Sequence, residues 1–264
     1  MAVRTKLNVV ESGVADGQPM VFAHGFGCDQ HMWRLVAPSF EDTFRVILFD
    51  YVGAGGSDMS AYDVDRYGSL HGYAADVIEV CEELTLESVI FVGHSVSSMV
   101  GALAAKKRPD IFAKLVFVGP SARYVDDGEY IGGFSSSDIS ELLDSIDSNY
   151  LGWSSAMAPA IMGNANRPSL GAELEASFCR TDPDIARQFA EVTFRSDNRA
   201  DLVEIVAPVL ILQCREDIIA PPSAGEYVRD HVQNSTYVVL DATGHCPHLS
   251  APVATIGAID DFVR

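Results

Sequence analysis

Residues 89–97 have the sequence VIFVGHSVS. The segment starts with an apolar run typical of a buried strand, and residues 99–105 after it predict a helix. A sharp turn between a strand and a helix is a setting in which a serine becomes a nucleophile, and it needs small residues two positions before and after that serine. Gly93 meets this requirement, and Ser97 replaces the usual second glycine with a residue that is still small. Ser95 is therefore a candidate nucleophile, although a helix-capping serine produces the same local pattern.

A carboxylate candidate follows the run PVLILQC at residues 208–214. This run is rich in branched apolar residues, as expected of a strand that is buried on both faces. Asp217 comes just after it, where the carboxyl ends of parallel strands present their loops. Its neighbour Glu216 is one alternative, and a loop aspartate that caps the next turn is another. The position after the strand favours Asp217.

A histidine candidate, His245, follows a second predicted strand at residues 236–240. Gly244 before it would let the loop fold back toward the serine. His248 is the alternative, but Pro247 directly before it indicates the start of the C-terminal helix. A histidine in isolation is more often structural than catalytic. The chain order of serine, aspartate and histidine reverses that judgement for His245.

These residue types together indicate nucleophilic catalysis. A serine hydroxyl becomes a useful nucleophile when an imidazole accepts its proton, and a carboxylate orients that imidazole and stabilises its charged form. The charge that develops on the substrate oxygen needs fixed N–H donors. We predict the amides of Val96 and Phe26 as these donors, since Phe26 lies between two glycines after a predicted strand at residues 20–23. An ordinary turn in that loop is the structural alternative.

Characteristic short segments occur along almost the whole chain, from about residue 10 to the C-terminus: HGFGCDQ (24–30), RVILFDYVG (45–53), GHSV (93–96), YLGW (150–153), IARQF (185–189) and GHCPH (244–248). With these segments the sequence resembles the RsbQ hydrolases of bacterial stress signalling and the related plant strigolactone and karrikin receptor hydrolases. The resemblance implies an α/β-hydrolase fold. It also implies a triad that binds or slowly cleaves a signal molecule. A partner protein would then recognise a lid, which is a helical segment that covers the active site.

Alternating strand and helix patterns predict an α/β fold with a mostly parallel sheet and helices on both faces. Residues 121–200 break this alternation with helical patterns, which we interpret as a four-helix lid inserted into a core domain of residues 1–120 and 201–264. The predicted strands lie near residues 7–10, 20–23, 46–49, 89–92, 115–118, 209–212 and 237–240. The predicted lid helices begin after Ser135 and recur around residues 150–161, 170–178 and 183–194.

Bulky residues of the lid region are expected to line a substrate pocket or to pack the lid on the core. A deep apolar pocket implies a small, mostly hydrophobic and uncharged ligand. We predict five pocket residues, of which all but Met157 match pocket positions of the receptor-like relatives: Tyr124, Phe134, Trp153, Met157 and Phe194.

The net charge of −19 argues against nucleic acid and anionic membranes as partners, because binding to either depends on Lys and Arg. No segment approaches the run of about 20 apolar residues that a membrane helix needs, and the N-terminus lacks the apolar region of a signal peptide. The five cysteines are an odd number without paired spacing, which favours a reducing cytoplasm over disulfides or a zinc site. We therefore expect a cytoplasmic protein without metal or cofactor.

The sequence thus predicts a serine hydrolase that cleaves a small hydrophobic ester or lactone through an acyl-serine intermediate. Two alternatives stay open at this stage. Carbon–carbon bond hydrolases use the same triad, and a signalling protein would need the same residues to bind or slowly hydrolyse a small molecule.

Overall fold

Residues 2–264, which the computed structural model describes, form one seven-stranded sheet with helices on both faces. The strands are β1 (Val10–Gly13), β2 (Pro19–Ala23), β3 (Arg45–Leu48), β4 (Val89–His94), β5 (Phe112–Val118), β6 (Val209–Glu216) and β7 (Ser235–Thr243). Their order in the sheet is β1-β3-β2-β4-β5-β6-β7. Only β1 runs antiparallel to its neighbour, so the predicted mostly parallel sheet is confirmed.

The helices mostly alternate with the strands along the chain. They are α1 (Val3–Lys6), α2 (Leu70–Glu83), α3 (Val96–Lys107), α4 (Ser136–Met162), α5 (Pro168–Phe178), α6 (Pro183–Phe194), α7 (Pro222–His231), α8 (Pro247–Ser250) and α9 (Pro252–Val263). Short 3-10 helices occupy Gln30–Trp33, Ala37–Phe40, Met59–Ala61 and Arg199–Glu204. None of the helices in residues 2–264 combines the length and the apolar character that a membrane crossing would need.

Alternate residues of the central strand β4 face two different cores. Phe91 lies in a core shared with residues of α2 and α3, whereas Ile90 and Val92 lie in a second core that contains residues of α9. All six residues of β4 are buried, which explains why its sequence is almost continuously apolar. The sheet thus holds the end of β4, and the serine after it, in the middle of the molecule.

The first predicted strand, near residues 7–10, is wrong for most of its length. Leu7 caps the short helix α1, and Asn8 adopts a positive φ of 46°, so that β1 begins only at Val10. Leu7 is nevertheless fully buried in the core. The apolar pattern here indicated burial and not an extended backbone.

Helices α4, α5 and α6 lie between β5 and β6, within the segment that we predict to be the lid. Helix α4 starts with a capping box, in which Ser135 and Asp138 satisfy each other's backbone N–H groups. The first two predicted lid helices are two halves of α4, because Asn149 is non-helical (φ −160°, ψ 79°) and kinks the helix there. The four predicted helical segments are therefore present in three helices.

Candidate active site

Ser95 lies in a strained turn between β4 and α3. Its φ of 56° and ψ of −123° are rare for a residue with a side chain. The turn brings Ser97 so close that a Cβ on Gly93 would lie 2.5 Å from the Ser97 carbonyl oxygen. Glycine is therefore required at position 93, as the sequence pattern predicted. This backbone conformation presents the Ser95 hydroxyl at the end of the sheet.

The structure brings the three catalytic candidates together in a buried chain of hydrogen bonds. The Nε2 atom of His245 lies 2.7 Å from the Oγ of Ser95, and its Nδ1 lies 2.7 Å from the Oδ2 of Asp217. The second carboxylate oxygen, Oδ1, accepts hydrogen bonds from the amides of Ile219 and Ala220 at 2.8 and 3.0 Å. The Asp217 carboxylate is thus held from one side while its other oxygen meets the imidazole.

Neither of the alternative acid and base candidates reaches this chain. Glu216 is an exposed residue at the end of β6. His248 is fully buried, and its ring packs against Trp33 and His94 with centroid distances of 4.8 and 4.4 Å. The position after the strand and the Gly-His pair therefore selected the two residues that complete the hydrogen-bonded chain with Ser95.

The backbone of His245 is held both by α4 and by His94 at the end of β4. Its amide donates to the carbonyl of Ile161 at 2.8 Å, near the end of α4, and its carbonyl accepts from the Nε2 of His94 at 2.8 Å. Gly244 has a φ of 89°, and a side chain there would clash with the carbonyl of Met162. The predicted backward fold of this loop is present, and it ties the imidazole to the C-terminal end of α4.

The two predicted oxyanion donors lie in the loop after β2 and at the start of α3. Within residues 2–264 the Phe26 N–H meets no acceptor, and Val96 occupies the first position of α3, where an N–H has no intrahelical partner. A Cβ on Gly25 would lie 2.6 Å from Nδ1 of His94, so the loop packs tightly under the nucleophile turn. Both N–H groups are therefore free to bind a substrate oxygen.

A narrow, mostly apolar cavity opens at Ser95. Three of its lining residues, Trp153, Met157 and Ile161, follow each other at intervals of four along α4 and thus share one helix face. This spacing is visible in the sequence and could have identified Ile161. Four predicted pocket residues line the cavity: Tyr124, Trp153, Met157 and Phe194. Residues that we did not predict for it include Leu142, Leu174, Thr193 and Ile219.

The structure does not place the fifth predicted pocket residue, Phe134, in the cavity lining. A bridge between Val125 and Phe134 closes a loop, and the Phe134 amide donates to the carbonyl of Tyr124 at 3.2 Å. These contacts leave the Phe134 side chain half-buried against an apolar cluster that includes residues of α4, α5 and α6. The pairing of two short segments, which no local pattern reveals, decides its position.

Two hydroxyl groups are the main neutral polar features of the cavity apart from the serine. The Tyr124 hydroxyl lies 3.5 Å from the Ser95 Oγ, and burial raises the pKa of Tyr124, so the phenol stays protonated. The Thr193 hydroxyl is buried and has no partner within residues 2–264. The lining residues include no Asp, Glu, Lys or Arg side chain from the described part of the chain. The cavity therefore suits an uncharged ligand.

Behind the triad, His94, Cys246 and His248 form a buried cluster whose potential ligand atoms lie within 4.8 Å of one another. Burial lowers the pKa of His94 and lowers that of His248 to about 3. Burial also raises the pKa of the Cys246 thiol. All three groups are thus neutral near pH 7, as their tight packing requires.

Acidification from pH 7.5 to pH 5 is expected to destabilise the protein through the two buried imidazoles of this cluster. An unfolded histidine has a pKa of about 6.5, so the unfolded chain binds more protons below that pH than the folded chain does. The free energy of unfolding then falls by about 1.4 kcal/mol per pH unit for each such histidine, from about pH 6.5 down toward the folded pKa. Urea unfolding at a series of pH values measures this slope.

The contribution of His248 to this slope can be measured separately. His248→Leu should reduce the slope, whereas His71→Gln, at an exposed position, should leave it unchanged. Equal slopes for His248→Leu and the unmodified protein would contradict the assignment.

The sequence profile of the alpha/beta hydrolase family matches residues 20–258. The chain belongs to the α/β-hydrolase family. A probable esterase of Oryza sativa subsp. japonica is 39% identical over 234 residues, which cover 88% of this chain and 86% of that protein. A karrikin insensitive 2 receptor of Petunia hybrida is 39% identical over 240 residues, which cover 90% of this chain and 89% of that protein. A strigolactone esterase of Arabidopsis thaliana is 36% identical over 247 residues, which cover 93% of this chain and 92% of that protein.

A solved structure of a hydrolase from Oleispira antarctica matches this α/β hydrolase with a TM-score of 0.96 and 39% identity, covering 99% of this chain and 96% of that one. The predicted fold and the resemblance to strigolactone and karrikin receptor hydrolases are confirmed by these relatives. The prediction of an enzyme of the esterase type is confirmed as well.

Proposed function

We propose that the protein is a serine hydrolase that cleaves a small, neutral, mostly hydrophobic ester or lactone through an acyl-serine intermediate. The observation that carries this proposal is the hydrogen-bonded chain of Ser95, His245 and Asp217 at the end of an apolar cavity. The esterase names of relatives that cover most of the chain support the reaction class.

In the first half of the reaction the Ser95 Oγ attacks the carbonyl carbon, and its proton passes to Nε2 of His245. Asp217 holds the Nδ1–H of the imidazole and stabilises the imidazolium. The amides of Phe26 and Val96 bind the oxyanion of the tetrahedral intermediate. The imidazolium then gives its proton to the departing alcohol, and the acyl group stays on the serine.

In the second half a water molecule attacks the acyl-serine and His245 accepts its proton. The same oxyanion donors act again, and the acid leaves as the Ser95 hydroxyl is restored. With a lactone the leaving alcohol remains attached to the acyl group, so hydrolysis opens a ring and releases a single hydroxy acid. The enzyme's own groups supply every proton transfer in this scheme.

Hydrolysis of a series of aryl esters and butenolide lactones by the purified protein tests this reaction class. We expect repeated turnover, and intact-protein mass spectrometry should show a transient mass gain. An ester adds the mass of its acyl group less one hydrogen, and a lactone adds its whole mass. If no member of the series forms an adduct or releases product, the proposal is wrong.

Trp153→Ala is expected to raise KM for esters with a bulky apolar acyl group by about 10-fold or more, because it removes a large apolar surface from the cavity. Hydrolysis of an acetate ester should change by less than about threefold, since so small a group buries little surface. Steady-state kinetics on the two esters measures the difference.

Phe134→Ala is the matched control, since this aromatic residue lies outside the cavity lining. It should leave both KM values nearly unchanged. Equal effects of the two substitutions would mean that the cavity is not the substrate site.

We propose as a second candidate a signalling function, in which the protein binds or slowly hydrolyses a small hydrophobic signal molecule and acts through a regulatory partner protein in the cytoplasm. The similarity to a protein named as a karrikin receptor favours it. A single burst of product without further turnover, together with a ligand-dependent rise in Tm, would support this function. Rapid turnover of many unrelated esters would contradict it.

A further inference from the structure

Ser97 occupies the position where the nucleophile turn usually has glycine, and its hydroxyl is fully engaged. The Oγ donates its single proton to the backbone carbonyl of His24. The hydroxyl of Tyr51 lies 2.8 Å from the same Oγ, and because the Ser97 proton is already used, Tyr51 must be the donor there. Both side chains are almost completely buried. The bonds run from the loop after β3, through α3, to the loop after β2.

His24 continues this network to the peptide group that carries a proposed oxyanion donor. Its Nε2 accepts from the amide of Tyr51 at 3.2 Å, so the imidazole carries its proton on Nδ1. That Nδ1–H donates to the carbonyl of Gly25 at 2.9 Å. The Gly25 carbonyl and the Phe26 N–H belong to one planar peptide group. Holding the carbonyl therefore fixes the direction of the N–H.

The same network adjoins the second proposed donor. Ser97 directly follows Val96 in α3, so the residue that holds the loop of one donor is the neighbour of the other. Donors aimed in advance at the developing charge are worth more than donors that must reorient during the reaction. Three buried side chains thus connect the two halves of the oxyanion site.

We infer that Ser97 and Tyr51 are positioning residues that orient the Phe26 amide through the backbone and imidazole of His24. This inference rests on the proposed function of the Phe26 and Val96 amides. The serine at position 97 then has a use beyond being small enough for the turn, since glycine could not supply the hydroxyl.

Ser97→Ala deletes only the Oγ atom, and Tyr51→Phe deletes the hydroxyl that donates to it. We expect Ser97→Ala to lower kcat for an aryl ester by about 10- to 100-fold, less than or comparable to the loss of an oxyanion donor itself. KM should change by less than about threefold, because the cavity lining is untouched. Tyr51→Phe should show a smaller fall, and the double variant should match Ser97→Ala, because both act through one chain of bonds.

Ser154→Ala is the matched control. Ser154 is also fully buried and donates to a backbone carbonyl, that of Tyr150 at 2.8 Å, but it lies in α4, outside the cavity lining. It should leave kcat unchanged. Urea unfolding of all variants separates a loss of stability from a loss of orientation.

Binding of an aryl trifluoromethyl ketone gives a readout that does not depend on turnover. Ser95 adds to its carbonyl carbon, the Ser95 proton passes to His245, and the carbonyl oxygen becomes an oxyanion. Ser97→Ala should weaken this adduct by the same factor as it lowers kcat, while binding of the corresponding alcohol, which forms no adduct, stays unchanged. If the adduct is as tight in Ser97→Ala as in the unmodified protein, the inference is wrong while the hydrolase proposal stands. Failure of the unmodified protein to form the adduct would overturn both.

Discussion

Ser95→Ala should lower kcat for aryl esters by about 10,000-fold or more, because the reaction loses its nucleophile and the covalent intermediate. The cavity is unchanged by this substitution, so apolar ligands should bind nearly as before. The effect is measured by ester turnover and by labelling with a fluorophosphonate, which reacts with activated serines.

The mass shift from fluorophosphonate labelling should disappear in Ser95→Ala. It should persist in Ser60→Ala, which changes an exposed serine outside the candidate active site. Retained labelling in Ser95→Ala would show that another residue is the nucleophile. The strained turn at Ser95 would then need a different explanation.

Asp217→Asn should lower kcat by about 10,000-fold, because an amide at this position favours the wrong tautomer of His245 and cannot stabilise the imidazolium. The carboxylate accepts backbone N–H bonds through Oδ1, and an asparagine oxygen can keep these bonds. The remaining amide nitrogen would then face the Nδ1 of His245, where a donor is misplaced. Steady-state kinetics on an aryl ester measures the loss.

Glu216→Gln is an informative control for this prediction, since it removes a carboxylate one residue away that is exposed and does not contact His245. We expect its kcat to stay within about twofold of the unmodified protein, as for most surface changes away from a site. A large loss in Glu216→Gln with a small loss in Asp217→Asn would reverse the assignment of the acid.

The bond between the His245 amide and the Ile161 carbonyl links the proposed lid to the proposed catalytic base. Asn164 strengthens this link by donating to the carbonyls of Met162 and Thr243 at 2.6 and 2.8 Å. The C-terminal end of α4 therefore cannot move far without changing the position of the imidazole. We infer that this end of α4 supports the proposed catalytic base.

Local sequence patterns were reliable where the physical requirement is itself local. The turn at Ser95 needs small neighbours on both sides, and the helix predicted over residues 99–105 is part of α3, which spans residues 96–107. The same holds for the capping box at Ser135, since its two hydrogen bonds join residues three apart. The pattern near Leu7 failed because burial and extended backbone produce the same apolar signal.

The positions of Phe134 and Ser97 depend on contacts between distant segments. Phe134 has the size and apolar character of a pocket residue, but its pairing with Val125 keeps it out of the cavity lining. Ser97 satisfied the sequence pattern as a small residue. Its bonds to His24 and Tyr51 join α3 to the loop after β2 and to the loop after β3. Contacts between such distant residues cannot be predicted from residue spacing along the chain.

The amino-acid sequence by itself determined the α/β architecture, the strained serine turn and the chain order of the three catalytic candidates. Each of these follows from backbone geometry, from hydrophobic periodicity, or from motifs shared with related proteins. Only the tertiary structure decided which aromatic side chains line the cavity, which groups hold His245, and how the Phe26 amide is oriented. Those features arise when residues as far as 151 positions apart, such as His94 and His245, come within hydrogen-bonding distance in the folded chain.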